Sequence, residues 1–166
     1  MPSDATQSRM FEVAQINVGR MNAPLDDPAM VDFVAQLETV NSMADRSEGF
    51  VWRLKSEQGD ATAFRVFDDP LVLINMSVWK SIEALYRFVY QGLHLEIIRK
   101  KRSWFGEFGA AYMALWWIRE GHIPPVEEGK ERLDLLQRFG PTPRAFTFGH
   151  RFAPPIDETV GWSART

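Results

Sequence analysis

Apolar and polar residues alternate along FEVAQINV, residues 11–18, and that period of two predicts a β-strand. Asp27 before Pro28 then offers a helix start, since a carboxylate accepts free N–H groups and proline fits the first helical position. Met30, Val34, Leu37 and Ala44 mark one helical face, with Asn41 inside it, up to Gly49. FVWRLKS, 50–56, reads as a second strand, the EQGDATAFRVFDDP segment as a wide hairpin connection, and LVLINMSVW, 71–79, as a third strand. Ser81 caps a helix on which Ile82, Leu85, Tyr86 and Val89 share a face. Gly92 interrupts that helix, and a second helical piece runs from Leu93 to about Phe108. AYMALWWIR, 111–119, is apolar at nearly every position, as expected of a central strand covered on both sides. After Pro124 and Pro125 a shorter helix turns Leu133, Leu136 and Phe139 inward and stops at Gly140, and AFTFGHRF, 145–152, reads as a last strand.

The order β-α-β-β-α-β with an added α-β unit is an α+β arrangement, the ferredoxin-like split βαβ with helices on one face of an antiparallel sheet. Several strands are apolar on both faces, so the second face needs a cover. The economical cover is the same sheet from a second chain, giving a homodimer whose two sheets form an α/β barrel. Residues 11–155 are read as a single such domain, 1–10 as a disordered leader and 156–166 as a tail.

Composition narrows the function classes. A chain of 166 residues, 45% hydrophobic, holds enough apolar volume for one real core. Its formal charge of −3 gives no general attraction to nucleic acid or to an anionic membrane surface, and the only dense basic run is Arg99 to Arg102. Cysteine is absent, which excludes disulfides and thiolate metal sites. The longest apolar stretch, AAYMALWWI, is half the length of a membrane helix, and the first ten residues lack the apolar core of a secretion signal. A cytoplasmic protein is the simplest expectation.

Alternation also sorts the strand side chains by face. Val72, Ile74, Met76 and Val78 form a purely apolar set expected to meet the helices, with Leu71, Leu73, Asn75, Ser77 and Trp79 opposite. The first strand splits likewise into Ala14, Ile16 and Val18 against Val13, Gln15 and Asn17. As the first and third strands are neighbours in this fold, Gln15, Asn17, Asn75 and Ser77 should cluster on the helix-free face. Polar groups among aromatics suit a ligand cavity, and they equally suit a set of buried groups that satisfy one another at a dimer interface.

His94 lies at the edge of an apolar helical stripe, with Arg102 near the same face. An imidazole there can ligate haem iron, act as a base near pH 7, or donate a structural hydrogen bond. Arg102 is either a carboxylate contact or part of a solvated charge run. No short histidine or carboxylate spacing of a metal site is present, nor a glycine-rich phosphate loop or nucleophile elbow. Trp52, Trp79, Trp104, Trp116 and Trp117 are read first as core.

The stretches "APLDDP", "GFVWRL", "LINMSVW", "EALYRFVY", "RKKRSWF", "LWWI", "GHIP", "EEGKERL" and "GPTPRAFTF" together resemble the domain of unknown function (DUF) 3291 family. That resemblance implies the dimeric α/β-barrel superfamily and carries no settled activity. At superfamily level, "SVWKSIEALYRFVYQGLH" is similar to the strand-helix-histidine segment of antibiotic-biosynthesis monooxygenase domains, and in some haem-binding relatives that histidine is the axial ligand. The resemblance implies an oxidation of a small hydrophobic, aromatic or polyketide-like molecule. His94, Asn75 and Trp79 are then the catalytic candidates, with Gln15, Asn17, Ser77, Trp117 and Arg102 as substrate contacts and His94 as ligand if haem binds. The rivals are a haem protein and a non-catalytic, ligand-binding or structural dimer.

Overall fold

The structure, a computed structural model, describes residues 10–55, 67–91, 104–106 and 112–156. Strand β1 (Phe11–Arg20) is followed by helix α1 (Val31–Asp45), strand β2 (Phe50–Arg53), strand β3 (Val72–Trp79), helix α2 (Ile82–Tyr90), strand β4 (Met113–Arg119) and helix α3 (Val126–Phe139). The strands form one antiparallel sheet in the order β2-β3-β1-β4, as the split βαβ pattern requires. β1 and β3 are therefore central neighbours.

The helix starts follow their sequence signals. Asp27 accepts from the Ala29 N–H at 2.8 Å, and Pro28 opens a single 3-10 turn that leads into α1. Ser81 accepts from the Ala84 N–H at 3.1 Å at the head of α2. Gly140, with φ of 71°, ends α3 in a conformation that disfavours a side chain. The buried faces are rotated slightly from expectation. α1 buries Phe33, Asn41 and Ala44 and leaves Val34 at the surface, while Tyr86 on α2 and Phe139 on α3 are also exposed. Equal spacing of apolar residues does not say which side of a stripe meets the sheet.

Both faces of the sheet carry helices, which corrects the expected helix-free face. α1 and α2 lie on the face of Val13, Gln15, Asn17, Leu73, Asn75, Ser77 and Trp79: Ala44, Ile82, Ala84 and Leu85 pack with Val13 and Trp79, and Phe33 packs with Leu73. The apolar set instead meets α3. Ala14, Ile16, Val18, Ile74, Met76 and Val78 form one core with Ala114, Trp116 and Ile118 of β4 and with Val126, Leu133 and Leu136 of α3. The cover assigned to a second chain is thus supplied, at least over β1 and β4, by the chain's own C-terminal helix.

β4 is the outer strand of the sheet, not a central one, although it is buried on both faces. Its free edge is protected by the segment expected to be a last strand. Leu115 and Phe146 exchange two backbone hydrogen bonds of 2.8 Å, and 147–150 then turns away, so the segment makes an isolated bridge and a tight turn. The leader, most of the hairpin connection and most of the helical piece between Leu93 and Phe108 lie outside the described residues. The described end of that piece is helical at Trp104, and Phe105 already bridges to Met21.

Two contacts make this packing testable. A Cβ on Gly129 would stand 2.9 Å from Met76 Sδ and 3.0 Å from Ile16 Cδ1, both terminal side-chain atoms that can shift by a few tenths of an ångström. Gly129→Ala is expected to be near neutral in urea unfolding, because a helix-propensity gain of about 1 kcal/mol offsets the crowding. Gly129→Leu should cost about 1–3 kcal/mol through overpacking between α3 and the sheet. Arg53, nearly buried, donates from Nε to Asp45 Oδ1 at 2.8 Å, and this bond holds the Asp45 carboxyl below its ordinary value. Because the folded state lowers that pKa, the stabilisation is complete above the unfolded value near 3.9 and fades as pH falls through the folded one. Asp45→Asn should therefore lose on the order of 1 kcal/mol at pH 7, with the deficit shrinking below roughly pH 4.

Candidate functional site

Strand register assembles the polar cluster. Gln15 lies directly opposite Ser77 and Asn17 opposite Asn75, and all four side chains emerge on the face shared with α1 and α2. Gln15 Nε2 donates to Asn75 Oδ1 at 2.7 Å and to Ser77 Oγ at 2.8 Å. Asn17 Nδ2 donates to Gln15 Oε1 at 3.0 Å and to Asn75 Oδ1 at 3.2 Å, and Trp79 Nε1 donates to Ser77 Oγ at 2.9 Å. The network brings together five of the candidate residues, and Gln15 is its hub.

The network is closed at its root and open at its head. Gln15 is 3% exposed, Ser77 7% and Trp79 fully buried, while Asn17 and Asn75 are half-buried. Both protons of the Gln15 amide and its oxygen are used within the network. Asn75 Nδ2 and Asn17 Oδ1 have no protein partner among the described residues, and both residues are half-buried. A donor and an acceptor therefore stand side by side, held from beneath by buried hydrogen bonds.

Aromatic side chains flank this head. On one side Trp79 stacks on Phe88 at 5.0 Å and meets Phe50 edge-on at 5.5 Å, with Leu115, Phe146, Trp117 and Phe152 in the same cluster. On the other side Met21, Met30, Phe33 and Trp104 form a second apolar cluster that reaches Leu73. Trp117 spends its indole N–H on the Phe152 carbonyl at 2.8 Å, so it pins the C-terminal segment and presents only its ring to its surroundings. Exposed Tyr86 and Tyr90 and half-buried Phe148 form an aromatic group beneath the Arg151 guanidinium. Burial, then Tyr112 and Tyr86 nearby, raise the Tyr90 phenol above its ordinary value.

His94 and Arg102 lie outside the described residues. Of the described histidines, His122 Nε2 is 2.8 Å from Glu128 Oε2, and His150 stacks on Phe152 at 5.1 Å. No group of three potential metal ligands occurs among the described residues. The amides and hydroxyl of the network are not iron ligands, so the described residues supply no axial position for haem there. Reading strands one at a time missed Phe88, Phe146 and Phe152 as neighbours of the network. The spacing of Phe146, Phe148 and Phe152 was the available signal, but only the Leu115–Phe146 bridge shows what that segment covers.

The difference between root and head sets an energetic expectation. Ser77→Ala strands the buried Trp79 N–H and one Gln15 N–H, and should cost about 1–3 kcal/mol in urea unfolding followed by tryptophan fluorescence. Asn75→Ala opens a position that water can fill, and should cost less than about 1 kcal/mol.

Comparison with solved structures found partial similarities. A conserved protein from Methanosarcina mazei Go1 is 13% identical, with a TM-score of 0.45 over 69% of this chain and 97% of that one. SnoaB from Streptomyces nogalater, described as a cofactor-independent oxygenase, is 17% identical, with a TM-score of 0.45 over 69% of this chain and 97% of its own. NE2512 from Nitrosomonas europaea, of unknown function, is 9% identical, with a TM-score of 0.43 over 70% and 96% of the two chains. No curated protein matches the sequence. The family model described as domain of unknown function DUF3291 matches residues 12–162, and this chain belongs to that family.

Proposed function

We propose that the head of the amide network is the floor of a binding site for a small, largely apolar aromatic molecule, and that the protein oxidises that molecule in a monooxygenase-like reaction as a homodimer. The observation that carries the reading is the unspent Asn75 donor and Asn17 acceptor, half-buried between two aromatic clusters and fixed by a fully bonded root. A few oriented polar atoms on an apolar wall are what a ligand site needs.

In this reading Asn75 Nδ2 donates to a ligand oxygen that gains negative charge, and Asn17 Oδ1 accepts from a neighbouring ligand donor. Trp79, fully buried with its N–H committed to Ser77 and its ring stacked on Phe88, supports the floor from beneath. A methylene that is conjugated to a ketone through the flanking aryl rings loses a proton to give an aromatic enolate, with His94 proposed as the base. The enolate reduces O2, one oxygen atom enters the carbon as a ketone, and the other leaves as water. The overall change is RCH2R′ + O2 → RC(O)R′ + H2O, which balances without a further reductant. Stabilising the enolate oxygen with a preorganised donor lowers the barrier to its formation.

Anthrone, which has such a methylene, is a suitable probe. The purified protein is expected to consume O2 and form anthraquinone in equal amounts, faster than buffer, with label from 18O2 in the product. Asn75→Ala should lower kcat by about 100-fold, the usual scale for one oxyanion donor, without loss of folding. If wild-type protein neither binds nor turns over the probe, and Asn75→Ala shifts only stability, the network is a structural element and the enzyme reading fails.

A further inference from the structure

We infer that Gln15 is a positioning residue that sets the hydrogen-bond polarity of the two half-buried asparagines, and thereby decides that Asn75 presents a donor and Asn17 an acceptor. The ligand-facing part of this inference rests on the binding site proposed above.

The two ends of an asparagine amide have nearly the same shape, so sterics alone do not choose which faces outward. Hydrogen-bond partners choose instead. Gln15 Nε2 can only donate, and it faces Asn75 at 2.7 Å, so Asn75 must turn its oxygen inward and its NH2 outward. Gln15 Oε1 can only accept, and it faces Asn17 at 3.0 Å, so Asn17 must turn its NH2 inward and its oxygen outward. The Asn17–Asn75 contact at 3.2 Å agrees with both orientations.

Below Gln15 lies a hydroxyl, Ser77 Oγ, which can accept or donate. The second Gln15 N–H goes to Ser77 Oγ, which also receives the Trp79 indole N–H, a group that can only donate. Gln15 lies on a central strand, is 3% exposed and has its bonded amide on three different side chains. It touches the ligand position only through the asparagines. The outward pair complements a ligand edge on which an acceptor sits beside a donor, and it opposes an edge with the reverse order. The competing arrangement has Ser77 O–H donating to Gln15 Oε1 and all three amides reversed.

Side-chain amide hydrogen exchange, measured by NMR on the ligand-free wild-type protein, separates the two. The Gln15 and Asn17 NH2 groups are expected to exchange at least tenfold more slowly than Asn75 NH2, which donates to no protein group among the described residues. Slow Asn75 with fast Asn17 would establish the reverse polarity and overturn the inference, as would equally fast exchange of all three. In Gln15→Glu the carboxylate only accepts, so Asn75 NH2 should turn inward and become the protected group. Gln15→Met, close in shape and unable to form these bonds, should leave the asparagine groups unprotected without that reversal. Retention of slow Asn17 exchange in Gln15→Met would show that Gln15 does not position it. If Gln15→Glu does not fold, the wild-type exchange pattern decides alone. Binding of 1,4-naphthoquinone, an acceptor-only probe, should weaken at least tenfold in Gln15→Glu. Quinone binding that is equal in folded Gln15→Glu and wild type counts against the inference. No quinone binding in wild type, with the predicted exchange pattern intact, removes the ligand site and upholds the polarity.

Discussion

Amides buried in the middle of a β-sheet must find partners, and this requirement organises the central part of the molecule. Gln15 lies on a central strand where water cannot compensate for a missing bond, so its three polar valences bind Ser77, Asn75 and Asn17 across the β1–β3 ladder. The register that pairs Gln15 with Ser77 also pairs Asn17 with Asn75. A slip by one residue would carry Gln15 and Asn17 into the apolar layer under α3 and leave the cluster broken. Polar satisfaction and strand register therefore support each other.

The two faces of the sheet solve different problems. Under α3 the side chains are almost wholly apolar, and close approach at Gly129 lets the helix settle on Met76 and Ile16. Burial there needs volume and little orientation. Beneath α1 and α2 the apolar residues divide into two clusters with the amide network between them. Among the described residues, packing against this polar strip is less continuous, and Asn17 and Asn75 within it are half-buried. The C-terminal segment belongs to the same design, since the Leu115–Phe146 bridge and the Trp117–Phe152 hydrogen bond carry aromatic rings over the edge of the sheet.

Coverage of the sheet also bears on assembly. The need for a second chain followed from counting the βαβ helices alone, and α3 answers much of that need within one chain. A homodimer in this protein accordingly has to use surfaces beyond the area that α3 occupies. No helix among the described residues is long and apolar enough to cross a membrane.

Much of the candidate site was legible in the sequence because strand geometry is local. A period of two placed Gln15, Asn17, Asn75, Ser77 and Trp79 on one face without reference to any other element, and the short capping signals at Asp27 and Ser81 marked where helices begin. What alternation cannot say is which helix lies over that face. Leu133 and Leu136 look the same in sequence whether their helix covers the apolar set or its opposite, and AFTFGHRF alternates equally well as a strand or as a single bridge with a turn. Those choices depend on long-range packing and on how connections return the chain to the sheet. The sequence by itself determined which side chains share a face, and only the tertiary structure decided what lies above them.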